Sequence, residues 1–302
     1  MNRPAPRSID QYLAQLREAL KGEDPALVQD ALYDAEEYLR AEIAQHPAKS
    51  EADALELIAS TYGAPEEVAE AYRTTEKTVR EATKPLAPPV RKTPLGRFFG
   101  VYADSRAWLA LFYMLLALVT GIFYFVVATA GLSISAGLSI LIIGVPVFLL
   151  FIGLTRVLSL VEGRIVETLL GVRMPRRPLR SSQGVGFWAT IKEMLLDRRT
   201  WTTLLYMLLM MPLGIAYFAI AIIGLSVSLA CVAAPLASLL ALFGIAHAQI
   251  DIDDLNIIGW PLTLPVGAFG ILLLTTLMHA ARALGQLHGR LARALLVSRV
   301  GE

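Results

Sequence analysis

The sequence predicts an all-α protein with two unlike parts, a small acidic helical bundle followed by a polytopic α-helical membrane domain. Hydrophobic residues make up 55% of the 302 residues, and the segment from Trp108 to Leu154 contains no Asp, Glu, Lys or Arg. Because a membrane-spanning helix needs about 20 apolar residues, that segment is long enough to cross twice. Acidic residues, in contrast, are concentrated near the N-terminus, where apolar residues recur at helical spacing.

Residues 1–82 are predicted to form four short helices. Each helix begins at a capping residue or a proline. These residues are Ser8, Asp24, Pro25, Ser50 and Pro65. Residues 8–76 contain 16 acidic and 5 basic residues, a net charge of −11. Such a surface repels phosphates, so we expect no direct nucleic-acid binding and a basic protein as partner.

Residues 83–99 are rich in proline and basic residues and are predicted to be a semi-rigid linker. Residues 100–302 form the membrane domain. Its four predicted spans are about 107–130, 137–159, 201–225 and 258–281. Residues 227–248 are also apolar, but a fifth crossing would move the arginine-bearing C-terminus to the other side. We therefore expect a re-entrant or interfacial helix there, broken near Pro235.

The membrane domain contains an internal repeat. Phe112 to Ser135 aligns without gaps with Leu205 to Ser228 at an offset of 93 residues, and GRIVETLL from Gly163 aligns with GRLARALL from Gly289 at an offset of 126. The sequence thus predicts a parallel duplication of a unit of two spans and a short amphipathic surface helix. The second copy is 33 residues longer, around residues 229–260.

The distribution of basic residues predicts the orientation. The loop between the two copies holds seven basic and two acidic residues, and the C-terminal tail adds further arginines. The inserted segment of the second copy instead carries Asp251, Asp253 and Asp254 and no basic residue. We therefore expect an inner-membrane protein with both termini in the cytoplasm and the aspartates outside.

No catalytic, cofactor-binding or metal-ligand motif appears, so we expect neither an enzyme nor a bound cofactor or metal. His279 and His288 are assigned structural or interfacial roles. Candidate signal-sensing residues lie in the insertion: His247 as a proton sensor, and Asp251, Asp253 and Asp254 as a cation sensor or simply as solvated turn acids.

Each copy contains two tyrosines eleven residues apart, a spacing that places the two on one helix face. They are Tyr113, Tyr124, Tyr206 and Tyr217. They either line an internal pocket or pack between the two copies. Gly121 and Gly214 permit close helix approach and mark the same repeat interface.

Arg164 and Arg290 open the two amphipathic segments. One interpretation is that they pass membrane motion to the cytoplasm. The other is that they anchor a surface helix to lipid phosphates.

The N-terminal module resembles a known family. QYLAQLREALKGEDPALVQDALYDAEEYLRAEI and EADALELIASTYGAPEEVAEAYR, within residues 8–75, are similar to the HAAS-type helical signalling domain. The closing G-x-P-E-E-V/L-A pattern of that family is matched from Gly63 to Ala69. This resemblance implies a PadR-like transcriptional regulator as the cytoplasmic partner.

The membrane part also resembles a family, over about residues 100–300. DRRTWTTLLYMLLMMPLGIAYFAIAIIGLSVSL is similar to the sensor membrane domain of bacterial regulatory proteins, which begins D-x-R-T-W-x-x-L-x-Y-L-L-L-x-x-P-L-G-I. The matching residues are Asp197, Arg199, Thr200, Trp201, Tyr206, Pro212, Leu213 and Gly214. The resemblance implies a sensor that is embedded in the lipid bilayer.

Together these observations favour a non-enzymatic inner-membrane sensor. Its membrane domain would sense an envelope or lipid-soluble signal, and its acidic domain would bind a cytoplasmic regulator. The alternative is a small permease or an accessory subunit of an exporter, which the scarcity of ionisable residues in the spans disfavours. Homo-oligomer formation stays open.

Overall fold

The structure is a computed structural model that describes residues 5–46, 50–82, 93–138, 144–177, 196–244, 251–252, 255–256 and 263–297. The described residues are almost entirely helical. The helices are α1 (Ile9–Ala19), α2 (Pro25–Ala44), α3 (Glu51–Tyr62), α4 (Pro65–Ala82), α5 (Pro94–Phe99), α6 (Ser105–Leu138), α7 (Gly144–Leu170), α8 (Arg198–Leu242) and α9 (Leu264–Leu296). A 3-10 helix spans Gly100–Ala103, and two-residue strands β1 (Asp251–Ile252) and β2 (Leu255–Asn256) form an antiparallel pair.

The N-terminal helices α1 to α4 pack around one small core. The predicted helix starts are confirmed: the side chains of Ser8, Asp24 and Ser50 accept hydrogen bonds from the first-turn N–H groups of α1, α2 and α3. The core is formed by aromatic and aliphatic side chains with little or no exposure. Its members include Tyr12, Leu16, Leu20, Leu39 and Leu55. Acidic side chains are not part of this core, although Asp30 and Glu36 are buried elsewhere.

Part of the predicted linker is helical. Thr93 caps α5, its Oγ1 accepting a hydrogen bond of 3.1 Å from the N–H of Gly96, and Pro94 supplies the first helical residue. The ring of Phe98 stacks on His279 of α9, whose Nε2 lies 3.0 Å from the Phe98 carbonyl oxygen. The linker prediction is therefore wrong for residues 94–99, and residues 83–92 lie outside the described part of the chain.

Helices α6 to α9 are each long and apolar enough to cross a membrane. Helices α6 and α8 cross at their glycines: a Cβ added to Gly121 would collide with the carbonyl of Met210, and one added to Gly214 with the carbonyl of Ala117. Both contacts involve positions related by the offset of 93. The end of the domain where α6 and α8 begin and α7 and α9 end is called the basic end below.

Substituting Gly214 by alanine should separate α6 from α8, because the added Cβ meets backbone rather than a movable side chain. We expect a loss of about 1 to 3 kcal/mol, the usual cost of overpacking. Gly153→Ala in α7 is the matched control, since no described atom lies within 4 Å of its added Cβ. Thermal unfolding in detergent compares the two; equal midpoints would contradict the close crossing.

The break predicted near Pro235 is absent. Helix α8 continues through both Pro212 and Pro235 to Leu242. At 1.5 Å per residue it is about 67 Å long, more than the roughly 45 Å of a whole bilayer. Helix α9 packs along the distal part of α8, with Gly267 against Pro235 and Gly270 against Cys231. The part of α8 that contains Pro235 is therefore covered by a neighbouring helix.

The separate amphipathic surface helices of the prediction are absent as well. Helix α7 passes through Gly163 to Leu170, and α9 passes through Gly289 to Leu296. Gly163 lies against Met174, and Gly289 lies against Val172. The apolar sides of these segments are buried against the protein, so each segment continues its span instead of lying on the membrane surface.

Candidate functional site

A buried polar cluster lies between the two copies of the repeat. All four tyrosines singled out by their spacing, Tyr113, Tyr124, Tyr206 and Tyr217, are buried, and their hydroxyls converge on two ionisable side chains. These two side chains are Glu162 of α7, 2% exposed, and His288 of α9, 1% exposed. The cluster therefore draws one or more side chains from each of the four membrane helices.

Glu162 accepts three hydrogen bonds from tyrosine hydroxyls. Its Oε1 accepts from Tyr113 at 2.9 Å and from Tyr206 at 2.8 Å, and its Oε2 accepts from Tyr124 at 3.0 Å. A carboxylate buried away from water needs such donors. The tyrosines therefore make the burial of Glu162 tolerable.

His288 completes the cluster. Its Nε2 lies 2.6 Å from the Tyr113 hydroxyl and 3.0 Å from the Tyr206 hydroxyl, and its Nδ1 lies 3.3 Å from the Tyr217 hydroxyl. Tyr113 and Tyr206 donate their hydroxyl protons to Glu162, so their oxygens can accept a hydrogen bond from His288. The tautomer that satisfies all these hydrogen bonds carries its proton on Nε2, and Nδ1 accepts from Tyr217. Two hydroxyls thus connect carboxylate and imidazole in one continuous hydrogen-bonded chain.

Glu162 and His288 occupy equivalent positions in the two copies. Each directly precedes a Gly-Arg pair, at the offset of 126 residues. Glu162 was not among the residues predicted from the sequence. His288 was predicted to be structural or interfacial, and its burial in the cluster agrees with the structural alternative. Extending the second alignment by one residue pairs Glu162 with His288, and tyrosine hydroxyls inside a membrane domain require partners.

Two ion pairs join the copies at the basic end. Asp104 pairs with Arg282 at 2.9 Å, and Asp197 pairs with Arg156 at 3.5 Å. In each pair the aspartate precedes the first helix of one copy and the arginine belongs to the second helix of the other. Each aspartate also accepts a hydrogen bond of 3.0 Å from an N–H in the first turn of its own helix.

The N-terminal bundle docks on the basic end. The buried Asp30 of α2 lies at the centre of this contact: its Oδ1 accepts from the backbone N–H groups of Arg176 and Arg177 at 2.6 and 2.8 Å, and its Oδ2 accepts from the Arg173 guanidinium at 3.0 Å. Arg173 also pairs with Glu76 of α4 at 3.2 Å. Carboxylates of the bundle therefore pair with arginines of the basic loop.

Further polar contacts surround Asp30. Asp34 pairs with Arg177 at 2.7 Å, and Asp24 pairs with Arg293 of α9 at 2.9 Å. The Gln29 side chain accepts from Arg199 at 3.0 Å and donates to the Arg177 carbonyl at 2.7 Å. This whole set of contacts between the bundle and the basic end is called the seam below.

Burial raises the pKa of the Asp30 carboxyl above its ordinary value, although the hydrogen bonds from Arg176 and Arg177 and the charge of Arg173 act in the opposite direction. The cost of burying this carboxylate therefore exceeds the gain from its partners.

The remaining predicted site residues lie elsewhere. Arg164 pairs with Glu167 on its own helix at 3.2 Å, and Arg290 is exposed. In the insertion, Asp251 pairs through its backbone with Asn256 in the short hairpin. His247, Asp253 and Asp254 lie outside the described residues.

The comparison with known families agrees with this architecture. A family described as "Putative sensor" matches residues 113–296, which run from the first clustered tyrosine to the last residue of α9. No curated protein and no solved structure matches the chain. The HAAS-type resemblance of residues 8–75 lies outside the matched range and stays a prediction. Because the match covers more than half of the chain, the protein belongs to this membrane sensor family.

Proposed function

We propose that the protein is a non-enzymatic inner-membrane sensor whose N-terminal bundle is the output domain on the cytoplasmic side. The observation that carries the proposal is the engagement of Asp30 by Arg173, Arg176 and Arg177. It ties the bundle to the membrane domain through reversible polar contacts rather than through a shared apolar core. A change in the membrane domain can then release the bundle.

Helix α7 supports a direct mechanical connection. Glu162 belongs to the polar cluster, and Glu167, five residues further along α7, pairs with Arg173 at 3.4 Å and with Arg176 at 3.0 Å. Arg173 in turn holds Asp30. A shift of α7 that rearranges the cluster would therefore move the arginines on which the bundle is docked. The signal is an envelope or lipid-soluble condition that changes the packing of the four membrane helices.

The partner proposed for the bundle is a cytoplasmic regulator, of the PadR-like kind implied by the HAAS resemblance. A basic surface on that regulator would compete with the arginines of the seam for the same carboxylates, Asp30 and Asp34. The state with a closed seam and the state with a bound regulator then exclude each other. The equilibrium between them is the output.

Two variants that open the same seam should have opposite effects on regulator binding. Arg173→Gln combined with Arg177→Gln frees Asp30 and Asp34, so binding of a purified PadR-like regulator to the full chain in nanodiscs should increase. Asp30→Lys combined with Asp34→Lys opens the seam but removes the carboxylates, so binding should be lost. Unchanged regulator binding in both variants, or unchanged binding after deletion of residues 1–80, would contradict the proposal.

One observation supports the alternative of a transport function. Glu162 and His288 are ionisable groups buried in membrane-spanning helices, and such groups often mark ion or proton pathways. A small permease would carry substrate or protons along the interface between the copies. Flux into proteoliposomes, measured separately for the wild type and for His288→Leu, tests this alternative. A permease would show a flux that the substitution abolishes, whereas a sensor would show no flux.

A further inference from the structure

A small pocket opens at the basic end between α7 and α8. It is lined by Thr155, Arg156, Ser159 and Leu160 of α7, by Asp197, and by Arg199, Thr200 and Thr203 of α8. Four hydroxyl side chains and two arginines thus surround one space. The pocket lies where α8 begins, at the level expected for lipid headgroups.

One hydroxyl in this pocket has no partner among the described residues. Thr200 is 7% exposed, and its Oγ1 is buried and makes no hydrogen bond with any described group. Thr155 and Ser159 donate to carbonyls three residues earlier in α7. Thr200 is the third residue of α8, so the carbonyl four residues before it precedes the cap Asp197 and is not part of the helix. A buried hydroxyl without a partner costs free energy and therefore indicates a missing acceptor.

The corresponding place in the other half of the domain differs in a specific way. At the offsets of the repeat, the charged residues Asp197, Arg156 and Arg199 recur as Asp104, Arg282 and Arg106. The hydroxyl residues do not recur. Thr155, Ser159, Thr200 and Thr203 correspond to Ala281, Gly285, Ala107 and Ala110.

That half is closed by direct packing. A Cβ added to Gly285 would lie 2.9 Å from the Cβ of Ala110, so α6 and α9 are in contact there. The fold therefore needs no hydroxyls at these positions. Their presence in one half alone points to a ligand rather than to packing.

We propose that this pocket binds a phosphate group, either that of a lipid or free phosphate. Arg156 and Arg199 supply two positive charges against the single negative charge of Asp197, and Thr200 supplies a hydrogen-bond donor. Arginine is suited to phosphate because its planar guanidinium donates two parallel hydrogen bonds. Asp197 is already engaged by Arg156 and by the N–H of Arg199.

The site also adjoins the seam, because Arg199 donates to Gln29 of the N-terminal bundle at 3.0 Å. A bound phosphate would draw the Arg199 guanidinium toward the pocket and weaken this contact. The proposal itself does not rest on the output function, because it is argued from the pocket and Thr200 and not from regulator binding. Failure of phosphate binding would leave the regulator-binding test of the seam unaffected, and failure of regulator binding would leave the phosphate test unaffected.

The test is the variant Thr200→Val, which keeps the shape of the side chain and removes its hydroxyl. The probes are phosphatidylglycerol, inorganic phosphate and, as a control without phosphate, diacylglycerol with the same acyl chains. Binding to the full chain in detergent is followed by native mass spectrometry for the lipids and by calorimetry for the ion. Thr202→Val is the matched control, since the Thr202 hydroxyl donates to the Arg199 carbonyl of its own helix.

We expect wild type to bind phosphatidylglycerol in clear preference to diacylglycerol, and Thr200→Val to bind it at least about tenfold more weakly. Without ligand, Thr200→Val should be at least as stable as wild type, because it removes an unsatisfied buried hydroxyl. A purely structural Thr200 would instead lose stability and leave binding unchanged, which would overturn the proposal.

The remaining binding measurements distinguish a lipid site from a free-phosphate site. Binding of inorganic phosphate with the same dependence on Thr200 assigns a free anion site, and binding of phosphatidylglycerol alone assigns a lipid site; both support a phosphate pocket. Equal binding of phosphatidylglycerol and diacylglycerol without any binding of inorganic phosphate overturns it. The fourfold variant Thr155→Ala, Ser159→Gly, Thr200→Ala and Thr203→Ala copies the other half of the domain and should abolish binding by either probe.

Discussion

Replacing Glu162 with leucine should destabilise the membrane domain by about 3 to 6 kcal/mol, because three tyrosine hydroxyls lose their acceptor where water cannot replace it. Those hydroxyls belong to Tyr113, Tyr124 and Tyr206, which lie on both copies of the repeat. The loss should therefore loosen the interface between the copies and not only α7. Unfolding of the detergent-solubilised full chain, followed by its helical signal, measures the effect.

Two comparisons separate the cluster from a general loss of charge. Glu167→Gln removes a carboxylate from the same helix five residues away. Its partners Arg164 and Arg176 are partly exposed, and its third partner Arg173 keeps Asp30 and Glu76, so the change should cost only about 1 kcal/mol. An entirely apolar cluster, with Glu162 and His288 changed to leucine and the four tyrosines to phenylalanine, should recover much of the stability. Equal destabilisation by the Glu162 and Glu167 variants would contradict the assigned role of the cluster.

The substitution Arg173→Gln should release the N-terminal bundle while both domains stay folded. Arg173 contacts Asp30, Glu76 and Glu167, so its loss leaves neighbouring carboxylates without their common cation. Breaking such a buried pair typically costs about 3 to 5 kcal/mol. The population of the open seam should then rise by at least about 100-fold, since 1.4 kcal/mol corresponds to a factor of ten.

Hydrogen exchange reports this opening directly. The backbone N–H groups of Arg176 and Arg177 are bonded to Asp30 in the docked state and should lose protection in the variant. Protection within the core of α1 to α4 should be retained. Arg164→Gln is the control, because Arg164 is half-exposed and pairs with Glu167 of its own helix. Unaltered exchange at Arg176 and Arg177 in the Arg173 variant would show that the seam does not depend on that ion pair.

Several features follow from local sequence. The caps at Ser8, Asp24 and Ser50 mark helix starts because a side-chain oxygen satisfies free N–H groups wherever the helix lies. The number of membrane helices follows from the length of the apolar segments. The spacing of eleven between tyrosines placed each pair on one helix face, and these residues do meet between the copies.

Other features depended on neighbours that sequence does not identify. Pro235 usually breaks a helix, yet α8 continues through it and packs there against α9. Likewise, separate surface helices were predicted to begin at Gly163 and Gly289, but Met174 and Val172 lie against these glycines and α7 and α9 continue through them.

Capping, helical periodicity and apolar length act over a few turns, so they were sufficient to predict an acidic helical bundle joined to four helices that can cross a membrane. Which polar groups meet depends instead on how the helices pack. Asp30 reaches Arg173 across 143 positions of the chain, and Tyr113 reaches His288 across 175. Whether a buried carboxylate or imidazole is tolerated depends on such distant donors and acceptors, and these come together only when the helices pack.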